Sequence, residues 1–134
     1  MSSTKKVLMV DDEDQFRATT KKLLSRRGFE TILAGSGEEA IEKLKENPDV
    51  VILDIKMPGM DGIETLKEIK KGWPLIEVIM LTGHATIELA IEGMKLGAFD
   101  FLMKPYDIDE LIAKVTDAAN KKREHEEKIK DAFK

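Results

Sequence analysis

Short apolar runs and amphipathic stretches alternate along the chain. Residues 7–10 form a β-branched apolar run that stops at Asp11 and Asp12. Its brevity and its lack of polar alternation predict a strand buried on both faces. Phe16, Thr20, Leu23 and Leu24 then fall at i, i+4, i+7 and i+8, a helical face that Gly28 is placed to end. Residues 29–34 read as a second strand. Ser36, with Glu39 three residues on, marks the start of a helix that turns Ala40, Ile41 and Leu44 inward and stops at Pro48. The cycle repeats with a strand at 50–53, turn chemistry at Met57-Pro58-Gly59, and a helix facing inward through Ile63, Leu66 and Ile69 until Gly72 and Pro74. A fourth strand at 78–81 precedes a helix expected to bury Ile87, Ala90, Ile91 and Met94 and to end near Gly97. Residues 99–103 make the fifth strand, and Ile108, Leu111, Ile112, Val115, Ala118 and Ala119 stripe the last helix. Five strand–helix units in strict order predict an α/β domain with a parallel sheet covered on both faces.

Past Ala119 the stripe thins. Lys122 and Glu126 take positions where core residues belong, Ile129 and Phe133 partly resume the pattern, and ten of the last seventeen residues are charged. One domain over residues 1–119 is expected, with 120–134 a charged, solvated helical extension or linker stump; a short helical contact with another chain is the sharper alternative.

The length of 134 residues suits one domain able to fold on its core alone. The absence of Cys removes disulfides, thiolate metal sites and sulfur nucleophiles. No apolar run approaches the ~20 residues that cross a bilayer, so no membrane partner is expected. The first residues lack a signal-peptide core, and a cytoplasmic protein is expected. A net charge of −4 argues against direct nucleic-acid binding. Residues 118–134 hold six basic and four acidic side chains, so the acidity belongs to the body.

In an open parallel sheet the carboxyl ends of the strands meet in one crevice. Here they carry Asp11 and Asp12, Asp54, Thr82, and Lys104 followed by Pro105. Three converging carboxylates either raise a pKa or hold a cation, and a hard divalent ion such as Mg2+ takes oxygen ligands of this kind. A cation, an ammonium group and a hydroxyl around one carboxylate suit transfer of a phosphoryl group to Asp54. Singly, each residue has an ordinary role: a strand-end Asp caps a helix, a Lys-Pro makes a turn, a Thr bonds to backbone. Their joint placement on four strand ends carries the reading.

The segments VLMVDDED (7–14), DVVILDIKMPGMDG (49–62), EVIMLTGHA (77–85) and GAFDFLMKPYD (97–107) resemble the response-regulator receiver domain of bacterial two-component signalling, over about residues 5–119. The resemblance implies a flavodoxin-like, doubly wound (βα)5 three-layer sandwich with strand order 2-1-3-4-5. It implies that Asp54 accepts a phosphoryl group from a phosphohistidine of a sensor histidine kinase or a histidine phosphotransfer protein. Asp12, Asp54 and the backbone carbonyl of Lys56 would bind Mg2+, with Asp11 acting through water. Thr82 and Lys104 would contact the phosphoryl oxygens, and the Lys104–Pro105 bond would be cis. Thr82 and Phe101 would form the switch, reporting to the surface of the fourth helix, fifth strand and fifth helix, where relatives dimerise or dock partners. Such a protein is not an enzyme in the usual sense, since it catalyses only its own phosphorylation and dephosphorylation.

Lys56 and His84 flank the expected phosphorylation site and either tune the lifetime of the phosphoryl group or are solvated loop residues. No helix-turn-helix, GxxxxGK[ST] loop or GGDEF-like output follows, so the chain is expected to be a single-domain regulator or a receiver cut from a longer regulator, for which the sigma-54 activator type is the model. A phosphatase of the haloacid dehalogenase type is a remote alternative: it would pair Asp11 with Glu13, and the Gly-Thr expected after them is missing. A flavodoxin is weaker still, because no hydroxyl-rich loop follows the first strand.

Overall fold

A computed structural model describes residues 4–57 and 61–133. Five strands, β1 (Lys6–Val10), β2 (Glu30–Ala34), β3 (Val50–Asp54), β4 (Glu77–Thr82) and β5 (Asp100–Met103), alternate with α1 (Asp14–Arg26), α2 (Gly37–Lys43), α3 (Gly62–Gly72), α4 (Ile87–Lys95) and α5 (Ile108–Ala132). All neighbouring strands pair in parallel, in the order β2-β1-β3-β4-β5. This is the doubly wound sandwich expected. The chain turns to one side from β1 to β2 and to the other from β3 onward, and the crevice lies where those directions diverge.

Period-two alternation divides the core. Leu8, Val10, Val51, Leu53, Val78 and Met80 join Ala40, Leu44, Leu66, Ile69 and Ala90 of the α2, α3 and α4 layer. Val7, Met9, Val50, Ile52, Ile79 and Leu81 meet Leu24 of α1 and Leu111, Val115, Ala118 and Ala119 of α5. Both faces are covered, so the central strands read as unbroken apolar runs.

Local signals set the boundaries. Ser36 accepts from the Glu39 N–H and Asp61 from the Glu64 N–H, satisfying first-turn donors of α2 and α3. Gly28 and Gly97 follow α1 and α4 with φ of +88° and +106°, a region that costs other residues strain. α2 tightens into a 3-10 turn (Leu44–Glu46), and Asn47, not Pro48, makes the left-handed stop at φ +53°. The turn expected at Met57-Pro58-Gly59 lies, for Pro58 and Gly59, outside the described residues.

Two expectations are corrected. Ile91 and Met94 do not face inward: they are 50% and 38% exposed, and Leu89 beside them is 41% exposed. Ala90 and Gly93 take the buried face instead. A Cβ on Gly93 would stand 2.2 Å from Met80 Sδ, so α4 meets β4 through its smallest residue and rotates its larger ones outward. The second correction concerns the extension of α5. The helix runs unbroken to Ala132, and Lys122 is 2% exposed, close to Asp49 and Glu126. Lys122 in the first turn past Ala119 is therefore docked on the body rather than solvated, whereas Asn120, Lys121, Ile129 and Phe133 are exposed.

Candidate functional site

β1 and β3 are adjacent, and their ends bring Asp11, Asp12 and Asp54 together, with one ligand atom from each within 4.8 Å of the others. Asp11 is fully buried, its Oδ1 accepting from the Glu13 N–H (2.9 Å) and its Oδ2 from Lys104 Nζ (3.0 Å). Asp54 is nearly buried and accepts from the Lys56 N–H at Oδ1 (3.1 Å) and from Lys104 Nζ at Oδ2 (3.3 Å). Asp12 stays exposed. Gly62 holds the loop after β3: its N–H donates to the Ile55 carbonyl (3.0 Å), and a Cβ there would strike Ile55 Cα at 2.5 Å.

Lys104 reaches this cluster from the end of β5. Its backbone N–H donates to the Thr82 carbonyl (2.7 Å), and the peptide bond to Pro105 is cis, as the resemblance implied. One ammonium cannot offset three carboxylates. Burial first, and the charge of Asp11 second, push the Asp54 carboxyl above its ordinary range, against the opposing pull of Lys104 and the Lys56 N–H. Burial works against the charge of Lys104, but the hydrogen bond to Asp11 and the charges of Asp54 and Asp11 outweigh it and hold the amine above its usual value. The unbalanced negative charge and the all-oxygen donor set fit a hard divalent cation. Above the cluster opens a cleft of about 820 Å³, lined among others by Asp12, Asp54, Lys56, His84, Thr86 and Lys104.

Thr82 stands at the end of β4 but does not line this cleft. It is buried, and its hydroxyl is engaged with Thr86 Oγ1 (2.6 Å) and the Gly83 carbonyl (3.2 Å). Phe101 is half-buried against the core beneath α4.

Residues 7–116 match the family model for the response regulator receiver domain. The chain belongs to that family. As a receiver domain it is 42% identical over 112 residues to the regulatory protein AtoC of Escherichia coli, covering 83% of this chain and 24% of AtoC. It is 38% identical over 122 residues to the DNA-binding transcriptional regulator NtrC of Escherichia coli, covering 90% of this chain and 26% of NtrC. The chain thus spans about a quarter of the curated relatives it matches. A crystal structure of a response regulator receiver domain protein from Clostridium thermocellum superposes with a TM-score of 0.85 at 41% identity, covering 89% of this chain and 97% of that one. Membership in this family sets aside the phosphatase and flavodoxin readings.

The receiver site brings together the five strand-end residues named from the sequence except for the Thr82 hydroxyl, which is turned to Thr86. Sequence reasoning missed Thr86, whose four-residue offset from Thr82 was legible but crosses a strand end into a 3-10 turn (His84–Thr86), where no periodicity applies. It also missed that the Phe16 ring lies beside Lys104, with Nζ 4.3 Å from its centroid, and that Tyr106 packs on that ring.

Proposed function

We propose that this receiver accepts a phosphoryl group on Asp54 from the phosphohistidine of a sensor histidine kinase or histidine phosphotransfer protein. The observation that carries the reading is the Asp54 carboxylate, held at the floor of an open cleft with one oxygen on the Lys104 ammonium and two further carboxylates beside it. Asp54 Oδ forms a bond to phosphorus while the P–N bond to the donor imidazole breaks, and the imidazole leaves with the electron pair. Lys104 neutralises charge gathering on the phosphoryl oxygens. Asp12, Asp54 and the Lys56 carbonyl would hold Mg2+, with Asp11 through water; bound there, it supplies positive charge against the incoming phosphoryl group. The chain acts only on itself, as acceptor and in self-dephosphorylation.

The Thr82 hydroxyl contacts the phosphoryl group once it leaves Thr86, and the half-buried Phe101 follows it inward. Phosphorylation thereby selects between two packings of the α4-β5-α5 surface. Ile91 and Met94, exposed and three residues apart on one face of α4, give that surface an apolar character suited to a homodimer or a docked partner. Among the described residues no helix is long and apolar enough to cross a membrane; the signalling role proposed is a cytoplasmic one. DNA binding is part of the NtrC name, and the acidic body of this chain makes direct nucleic-acid contact no part of the proposal.

The test is incubation with Mg2+ and a small phosphodonor, followed by intact-mass measurement. One phosphoryl increment per chain is expected, and none when the metal is chelated before the donor is added; no increment in the presence of Mg2+ would refute the reading.

Two further outcomes are expected. Thr86→Val removes the nearer of the two partners of the Thr82 hydroxyl at constant size and leaves the Gly83 carbonyl, and one net hydrogen bond corresponds to roughly a 2–10-fold shift toward the conformer with that hydroxyl turned from Thr86. Beryllium trifluoride titration should show tighter binding by that factor. Lys56 and His84 are exposed and line the cleft. Lys56→Ala and His84→Ala are each expected to change the self-dephosphorylation rate severalfold and leave uptake nearly unchanged; identical decay curves would remove them from the mechanism.

A further inference from the structure

We propose that Phe16 is a positioning residue for the reaction at Asp54: its ring face holds the Lys104 ammonium in register with Asp11 and Asp54. The inference rests on the phosphoacceptor reading and adds to it a residue from α1, an element that supplies none of the groups assigned so far.

Lys104 Nζ lies 4.3 Å from the centroid of the Phe16 ring, inside the range where the negative face of an aromatic ring attracts a cation. The ammonium has three N–H donors. Two directions are taken by Asp11 Oδ2 at 3.0 Å and Asp54 Oδ2 at 3.3 Å, and the ring supplies a further attraction from α1. A lysine stem has four rotatable bonds and loses rotamer freedom when fixed, so two acceptors alone fix it less well than two acceptors and a ring. The half-buried site keeps water from competing fully for the charge, which strengthens the contact.

The ring is itself fixed. Tyr106 meets Phe16 edge to face, with centroids 5.9 Å apart and planes at 86°. Tyr106 in turn shares a hydrogen bond of 3.0 Å with the hydroxyl of Thr20, which is buried one helical turn along α1 from Phe16. Thr20, Tyr106 and Phe16 thus tie α1 to the segment that follows Lys104. An aliphatic side chain at position 16 would fill similar space without attracting the ammonium. Phe16 has no polar side-chain atom to offer Asp54, and its effect on the reaction passes through Lys104.

The experiment replaces Phe16 with mono-, di- and trifluorophenylalanine, which hold the ring's shape nearly constant while draining the negative charge from its face. The full chain is used, with Mg2+ and a small acyl phosphate as donor, and uptake is followed over a range of donor concentrations. The maximal uptake rate is expected to fall stepwise along the series, by about three- to tenfold at trifluorophenylalanine. Phe16→Leu should match that loss and Phe16→Trp should retain the original rate, while melting midpoints across the fluorinated series stay together. A flat fluorination series in a chain that does take up phosphoryl groups would overturn the role of Phe16 and leave Asp54 untouched. If the unsubstituted chain takes up none, the phosphoacceptor reading fails separately. The ring-current shift on the Lys104 ε-methylene protons then decides the contact by itself: its presence in the original chain and loss in Phe16→Leu supports the positioning, and its absence from both overturns it.

Discussion

Asp54→Asn is expected to abolish phosphoryl uptake, a loss of at least about 10³-fold, in a protein that remains folded. The carboxamide has nearly the same shape, but its single oxygen can accept from the Lys56 N–H or from Lys104 and not from both, and it offers no anionic oxygen to attack phosphorus. Neither neighbouring carboxylate can substitute. Both oxygens of Asp11 are already hydrogen-bonded, one to the Glu13 N–H and one to Lys104, and the side chain is fully buried. Asp12 is exposed and lies outside the hydrogen bonds of Lys104. Stability should move the other way from function, because removing one charge relieves a cluster of three carboxylates in which one ammonium pairs with two. The melting midpoint of Asp54→Asn should rise in metal-free buffer. Added Mg2+ should stabilise the original chain, by about 2.7 kcal/mol at a hundredfold excess over its dissociation constant, and the variant by less. Intact mass and thermal melts, each with and without Mg2+, read all of this. An undiminished phosphoryl increment in the variant would move the acceptor away from Asp54.

The strand ends were legible in the sequence because a parallel strand covered on both faces has to be apolar along its length, so its first charged residue marks where it leaves the sheet. Asp11, Asp54 and Lys104 announce themselves in that way. α4 was misread for a reason of the same kind. Helical periodicity credits Ile91 and Met94 for their apolarity and gives Gly93 nothing, although closeness to Met80 makes the residue without a side chain the one that packs. The engagement of Thr82 with Thr86 and of Lys104 with Phe16 needed coordinates, since each joins groups whose sequence types have commoner uses. Lys122 was the largest misreading. A lysine in a run of charges reads as solvated, and of the two carboxylates close to it the buried one, Asp49, is 73 positions earlier, beyond the reach of any local pattern.

That pairing yields the second large effect: Asp49→Ala should destabilise the fold by about 3 kcal/mol, the lower end of what breaking a buried charge pair costs. Asp49 precedes β3 and is nearly buried. It accepts from the Lys6 N–H at 2.9 Å and from Arg123 through Nε and a terminal nitrogen at 3.1 Å each, with Lys122 Nζ at 3.8 Å. One carboxylate thus ties the start of β1 to the far half of α5. Without it the buried Lys122 keeps Glu126, at 3.0 Å, and that remaining pair is why the lower end of the range applies. For a domain of this size the melting midpoint should fall by roughly 10 °C, and amide exchange should quicken first along residues 120–132. Lys122→Met removes the charge that is left stranded, so the double variant should recover part of the loss and a mutant cycle should show coupling. Acid supplies an independent check. Burial opposes the charge of Asp49, but the Arg123 hydrogen bond, the Lys6 N–H and the two nearby cations outweigh it and hold the carboxyl below its ordinary value of 3.8. A depressed carboxyl contributes stability that is complete above its unfolded value and lost as pH falls through its folded one. The gap between the original chain and Asp49→Ala should therefore be widest near neutrality and narrow below about pH 4. A gap that stayed constant into acid would mean that the carboxylate's charge does not hold α5 in place.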